Sequence, residues 1–220
     1  MISQLTAPAE SLTIEDVRVM SDTSRPISTS PDVTAMVDRA RRQDPAAFRE
    51  LFQTHVRAVH RVCTRIYGPS ADVEDIVQTA FVEAFRSLAD FRGDALFSTW
   101  LTRIAVRVAL RAARKRTVHA VSLDHALERP GDAPGPERLA AAREGLGVLQ
   151  RLLAELRPKR RAAFVLNVLE GHSMDEVAAI LGASTTAVKV RVHDARRHFE
   201  RRLKHQPELL AALTARGVES

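Results

Sequence analysis

The chain has 220 residues, with 33 lysines and arginines against 27 acidic residues, giving a formal charge of +6 and a pI near 10.3. That modest excess permits a polyanionic partner, so its distribution along the chain has to carry the argument. The single cysteine, Cys63, excludes an intrachain disulfide framework and a cysteine-rich zinc site, and no apolar run approaches the ~18 residues that a membrane span needs.

Residues 1–32 are rich in Ser, Thr and Pro and hold no sustained period. They also lack the positively charged start and apolar stretch of a secretory signal, so they read as a disordered arm with one short helical pattern at residues 14–20. A first helix is predicted over residues 33–42. Asp44-Pro45 then supplies an N-cap followed by proline at the first helical position. Phe48, Leu51, Phe52, Val56, Val59, Val62, Cys63 and Ile66 recur at three- and four-residue spacing until Gly68-Pro69 ends the helix. The next helix opens near residues 70–72 and carries Val73, Ile76, Val77, Ala80, Phe81, Ala84, Phe85 and Leu88 on one side. Its other side presents Asp72, Glu74, Asp75, Gln78 and Glu83.

Those acids crowd a helix N-terminus, where the dipole favours negative charge. No histidine is close in sequence to complete a ligand set, so a nuclease-like metal site is a poor reading and a protein-docking face, or plain capping, a better one. His60 and Cys63 could share a metal, but Cys63 lies on the apolar stripe and reads as core. We expect no metal, no cofactor and no catalytic group.

A loop over residues 91–97 contains Arg92-Gly93-Asp94, and a third helix is predicted over residues 98–116, burying Leu101, Ile104, Ala105, Val108 and Ala112. Arg103, Arg107, Arg111 and Arg114 fall at i, i+4, i+8 and i+11, with Lys115 and Arg116 beyond them and no acid from Leu101 to Arg116. Stacked arginines repel unless a polyanion lies alongside, so this stripe points to nucleic acid. Trp100, Phe91, Phe97 and Arg92 offer a stacking and phosphate surface for single-stranded DNA. Trp100 read singly is equally an aromatic that anchors the loop to the core.

Residues 117–145 hold three prolines and scattered acids without a period, which marks a linker. Two helical domains, residues 33–116 and 146–204, are therefore expected, tethered flexibly so that their spacing is unset. In the second, Leu146, Leu149, Leu152, Leu153 and Leu156 mark one helix. Pro158 starts another that Gly171 closes, and Ser173 to Glu176 has capping-box spacing. A short helix to Leu181, a turn at Gly182, and a long helix capped by Ser184 or Thr185 make a helix-turn-helix. Val188, Val192, Ala195 and Phe199 form its buried stripe. Thr186, Lys189, Val190, His193 and Arg197 occupy the opposite face, with Arg191 and Arg196 alongside. Donors and cations near a helix N-terminus suit the DNA major groove. A packed helical hairpin with a solvated basic face is the plainer alternative. Residues 205–220 form a tail with Leu209, Leu210 and Leu213 at helical spacing.

The stretches "DPAAFRELFQTHVRAVHRVCTRIYG", "ADVEDIVQTAFVEAFRSLADFRGDALFSTWLTRIA" and "LRPKRRAAFVLNVLEGHSMDEVAAILGASTTAVKVRVHDARRHFERRL" resemble regions 2 and 4 of the extracytoplasmic-function (ECF) sigma factors. The resemblance implies an all-α protein of two small helical domains that binds core RNA polymerase, directs it to −35 and −10 promoter elements and helps melt the −10 region. It places Asp72, Asp75, Gln78 and Thr79 on the β′ clamp helices, region 4 beside the β flap, and the linker across the active-site cleft. It assigns the −10 strand to Phe91, Arg92, Phe97, Trp100, Arg103, Arg107, Arg111 and Arg114. The −35 duplex falls to Ser184, Thr185, Thr186, Lys189, Val190, Arg191, His193 and Arg197. Family members often carry Glu at Thr79, Asn at Arg107 and Ser at Val190. An anti-sigma factor and a cytoplasmic location are further implications. A helix-turn-helix regulator with an N-terminal sensing or dimerisation domain is the alternative; it explains the C-terminal half but not the arginine stripe beside an acidic helix.

Overall fold

A computed structural model of the chain describes residues 31–119 and 146–205. The N-terminal arm with its helical pattern, the linker and the C-terminal tail lie outside the described residues. Every regular element among the described residues is helical.

Helix α1 (Pro31–Arg41) leads into α2 (Pro45–Tyr67), whose first turn is held by the Asp44 carboxylate accepting from the Ala46 amide at 2.9 Å. The chain leaves α2 through Gly68 at φ 103°, a conformation glycine adopts without a Cβ clash. Helix α3 (Asp72–Arg86) follows, then a single 3₁₀ turn (Leu88–Asp90) and α4 (Phe97–His119). The predicted stripes of α2, α3 and α4 face one another around Leu51, Ile66, Ile76, Phe81 and Leu101, all buried. Burial of each such side chain contributes roughly 1.5–3 kcal/mol relative to exposure, and this common core fixes the three helix axes.

In the C-terminal half, residues 146–154 are helical and precede α5 (Pro158–Phe164), which widens into a π-helical turn over Val165–Leu169. Helices α6 (Met174–Leu181) and α7 (Thr185–His205) complete it. Phe164 stacks against Phe199 with ring centroids 4.5 Å apart, seating α7 on α5.

The two helical domains expected from the linker composition pack against each other. Helix α4 packs on α5 and α6 as well as on α2 and α3, and the buried side chains of both halves form one continuous core. The apolar face of α4 is accordingly wider than the stripe expected from its period. Val106, Ala109, Leu110 and Ala113 are also buried, while Ala112 is only partly so.

Candidate nucleic-acid interface

The basic stripe of α4 follows from helical spacing. Arg103, Arg107, Arg111 and Arg114 are all exposed along one side of the helix. They are not, however, a row of cations awaiting an external anion. Glu83, on the neighbouring α3, accepts from Arg107 Nη2 at 3.0 Å and from Arg111 Nη1 at 3.1 Å. An acid 24 residues away thus relieves part of the repulsion within the stripe without any external polyanion, and it aims two guanidiniums side by side. Arg116 leaves the stripe altogether: its guanidinium lies over the Tyr67 ring, 4.4 Å from the centroid.

The aromatic loop is built inward. Phe97 is 2% exposed and packs between His55 and Trp100, so its ring holds the loop and has no face open to a base. Phe91 contacts both Phe97 and Trp100, and the rings of Phe91 and Trp100 stay partly exposed. Trp100 therefore anchors the loop and keeps an accessible edge, combining the two readings of it. Arg41 of α1 fastens the loop from outside by donating to the Phe91 carbonyl, with its guanidinium 5.8 Å from the Phe91 centroid. Sequence periodicity could not find that role, because Arg41 is 50 positions away. Arg92 projects at the rim of an open cleft of about 810 Å³, walled by Val37, Arg41, Phe91, Leu96 and, from α6, Glu176 and Ala179.

On α3, Asp75, Gln78 and Thr79 are exposed in a contiguous patch. Asp72 is engaged by its own neighbourhood: the Tyr67 hydroxyl donates to it at 2.7 Å and the Ser70 hydroxyl at 3.0 Å, which ties the start of α3 to the end of α2. Burial, followed by that contact with Asp72, raises the Tyr67 phenol above its usual range.

The helix-turn-helix has its expected caps. Ser173 Oγ accepts from the Glu176 amide and the Glu176 carboxylate accepts from the Ser173 amide, a reciprocal capping box. These bonds hold the Glu176 carboxyl below the usual range. Gly182 ends α6 at φ 57°, ψ 49° in open space, so glycine is there for its left-handed backbone. Ser184 caps α7 by accepting from the Ala187 amide, and Thr185 donates to Asp175 across the turn at 2.7 Å. Ser184 and Thr185 thereby set the angle of α7. Val188, Val192, Ala195 and Phe199 are buried, and Thr186, Lys189, Val190, His193 and Arg197 are exposed on the opposite side, with Arg191 partly so. The lower half of α7 is braced by Arg160 on Asp194 at 2.8 Å, and by His198 and Arg202 on Glu155 at 2.8 and 2.7 Å.

Between the halves lies a polar clasp. Glu170, its side chain 7% exposed, accepts from Arg61 at 2.9 Å and from Arg65 at 2.6 Å, both on α2. Arg161, 6% exposed, has no carboxylate partner among the described residues. It donates to the carbonyls of Ile66 at 3.0 Å, Ala154 at 2.9 Å and Leu156 at 3.2 Å. The first of these belongs to the last turn of α2, where unpaired carbonyls and the helix dipole favour a cation. Burial, with the nearby Arg116, lowers the Arg161 pKa to about 10, leaving it charged at neutral pH. These residues carried no periodic signal. The one hint was a charged Arg160-Arg161 pair at the head of the otherwise apolar run 162–166.

Among the described residues no group of three His, Cys, Asp or Glu side chains stands together in a way that would hold a metal, and no helix is long and apolar enough to cross a membrane. Cys63 is fully buried, and burial pushes its thiol up to about 12.

Residues 51–118 match the family model of Sigma-70 region 2, and residues 146–199 match that of Sigma-70 region 4. The chain is 37% identical over 174 residues to the RNA polymerase sigma factor NccH of Alcaligenes xylosoxydans xylosoxydans, covering 76% of this chain and 93% of that one. It is 35% identical over 181 residues to the ECF RNA polymerase sigma-E factor of Escherichia coli K12, covering 77% and 93%. Among solved structures it is similar to CnrH in complex with the cytosolic domain of CnrY, at a TM-score of 0.59 and 29% identity, covering 78% of this chain and 96% of that one. A sigma factor RpoE bound to the anti-sigma factor NepR from Bartonella quintana shares the fold at a TM-score of 0.56 and 21% identity, covering 71% and 96%.

Proposed function

The chain belongs to the ECF group of RNA polymerase sigma factors, with Sigma-70 regions 2 and 4, and from that premise we propose which of its surfaces performs each step of promoter recognition. It acts as an alternative sigma factor in transcription initiation. The exposed patch of Asp75, Gln78 and Thr79 on α3 meets the β′ clamp helices, with Asp72 keeping that helix start in place, and region 4 sits by the β flap. The outward face of α7 enters the major groove of the −35 duplex. Lys189, Arg191 and Arg197 take phosphates or guanine acceptors, and Thr186, Val190 and His193 meet base edges.

The stripe of Arg103, Arg107, Arg111 and Arg114 tracks the phosphates of the separated −10 strand, while Arg92 and the open edges of Phe91 and Trp100 hold unstacked bases. Each step unstacked costs ~1.4 kcal/mol, so capture of bases in the loop offsets only part of melting and core polymerase supplies the rest. The carrying observation is the exposed polar and basic face of α7 set on a capped helix-turn-helix. Charge alone would suit any polyanion, but this helix is presented by its turn with its N-terminal residues foremost.

The relatives solved with CnrY and with NepR suggest that a protein partner also restrains this chain; we place it in the cytoplasm with the polymerase. Run-off transcription with purified core polymerase and a promoter library tests the assignment. Promoter-specific initiation should depend on the added chain, and Lys189→Ala or Arg191→Ala should lower it at promoters with a −35 element. Equal activity of both variants would remove α7 as the reading helix.

A further inference from the structure

We propose that Val190 reads the methyl group of a thymine in the −35 element and so sets a base preference of this particular chain. This rests on α7 being the duplex-reading helix. Four large apolar side chains stand out in solvent among the described residues, Phe52, Val82, Leu146 and Val190, and Val190 is the most exposed at 55%. It is the sole apolar member of an outward row, with Thr186 one turn before it, His193 one turn after and Lys189 beside it. The core does not need it, because Val188, Val192, Ala195 and Phe199 already seal the inner face. The helix does not need it either. A β-branched residue in the interior of an exposed helix face is less favourable than alanine, for want of rotamer freedom. A side chain that serves neither packing nor propensity, in the middle of a recognition face, is there for what the face meets.

The chemistry of the groove narrows what that is. On the major-groove edge, guanine shows two acceptors, adenine an acceptor and a donor, and cytosine a donor; only thymine adds a methyl group. Valine has nothing to offer a hydrogen-bonding edge. Pressed against guanine, adenine or the amino group of cytosine, it would strip water from a polar atom and return no partner. Against the thymine methyl it closes an apolar contact and excludes water from both sides. Its place supports this, since Val190 lies within the first two turns of α7 (Thr185–His205), the part of a recognition helix that reaches base edges. Lys189 and Arg191 on either side in sequence supply the phosphate contacts that hold such a small apolar contact in register.

The test uses holoenzyme reconstituted from core polymerase and the full chain, on a promoter selected from a randomised −35 library. Each −35 thymine is replaced in turn by deoxyuridine, which removes the methyl and nothing else. At one position the replacement should lower open-complex formation about three- to fivefold, the fold-change expected for one lost methyl contact. Val190→Ser should be insensitive to the same replacement, while its melting temperature is unchanged because the side chain is on the surface. Selection of a −35 element without thymine, or no effect of deoxyuridine at any position, would overturn the proposal. Loss of activity in Val190→Ser that is equal on thymine and deoxyuridine templates would overturn it as well, since Val190 would then meet a protein surface. If initiation did not depend on the −35 sequence at all, the assignment of α7 itself would fall, and the proposal with it.

Discussion

Glu170 tests the packing of the two halves most directly. Its carboxylate is 7% exposed and receives Arg61 and Arg65, whose side chains are 29% and 13% exposed. Replacing it by glutamine removes the charge and leaves two guanidiniums facing each other, with Arg65 already penalised by burial. Breaking a buried pair by deleting one partner costs roughly 3–5 kcal/mol. Arg61 keeps some access to water, so the low end applies, about 3 kcal/mol. At ~1.4 kcal/mol per factor of ten that is a shift of roughly a hundredfold. The halves can answer by parting, which returns both arginines to solvent, so the cost falls on the closed arrangement and not on either core. Dyes on Gln53→Cys and Arg201→Cys, both at exposed positions, report the separation; the buried Cys63 does not compete for label. Glu170→Gln should lower energy transfer markedly while helical content holds. The triple variant Arg61→Leu, Arg65→Leu, Glu170→Leu should stay closed, because an apolar replacement of a whole buried network is often neutral. Unchanged transfer in Glu170→Gln would refute the reasoning.

Three further outcomes are expected. Glu83→Gln frees Arg107 and Arg111 from an internal competitor, so binding of single-stranded −10 DNA by holoenzyme should acquire a salt dependence steeper by about 0.7 in log–log slope; stability should change by less than ~1 kcal/mol because both arginines are more than half exposed. His55 and His172 are held below the ordinary histidine value by burial, so the folded chain prefers them neutral. Their contribution is fully present above about pH 6.5 and declines as pH falls below it, by up to ~1.4 kcal/mol per pH unit for each proton taken up on unfolding. Denaturant titrations should show that slope, and His55→Leu should reduce it; a pH-independent midpoint between 5 and 7 would contradict the burial argument. Finally, the Cys63 thiol should react with Ellman's reagent only on unfolding, since it is buried and its pKa is raised to about 12; rapid labelling of native protein would place it elsewhere.

Much of the fold was legible in the chain. Asp44-Pro45, Ser173 to Glu176 and Gly182 each satisfy or terminate a helix through atoms a few residues apart, so their roles follow from local chemistry. Apolar spacing placed the inner faces of α2, α3 and α7 for the same reason: a helix repeats every 3.6 residues whatever it packs against. The outward row of α7 was likewise the complement of a stripe that had to be buried. Some expectations about the site differ from the structure. Phe97 stands in sequence among the stacking aromatics but lies beneath them, because periodicity says nothing of depth in a loop. The arginine stripe looks unpaired along its own helix, because its acid, Glu83, comes from another helix.

What the sequence by itself determined, then, is the set of helices, their caps and which helix faces turn outward, since each is decided within a turn or two of chain. What only the tertiary structure decided is which distant groups meet: Arg41 on the loop at Phe91, Glu83 between two arginines, and the clasp of Arg161 and Glu170 on α2. The extra apolar residues of α4, Val106, Leu110 and Ala113, stood in the sequence as surplus to one stripe. A second apolar face has a meaning only once another body covers it, and the pairing of bodies depends on shape and charge summed over both, which no window along one helix contains.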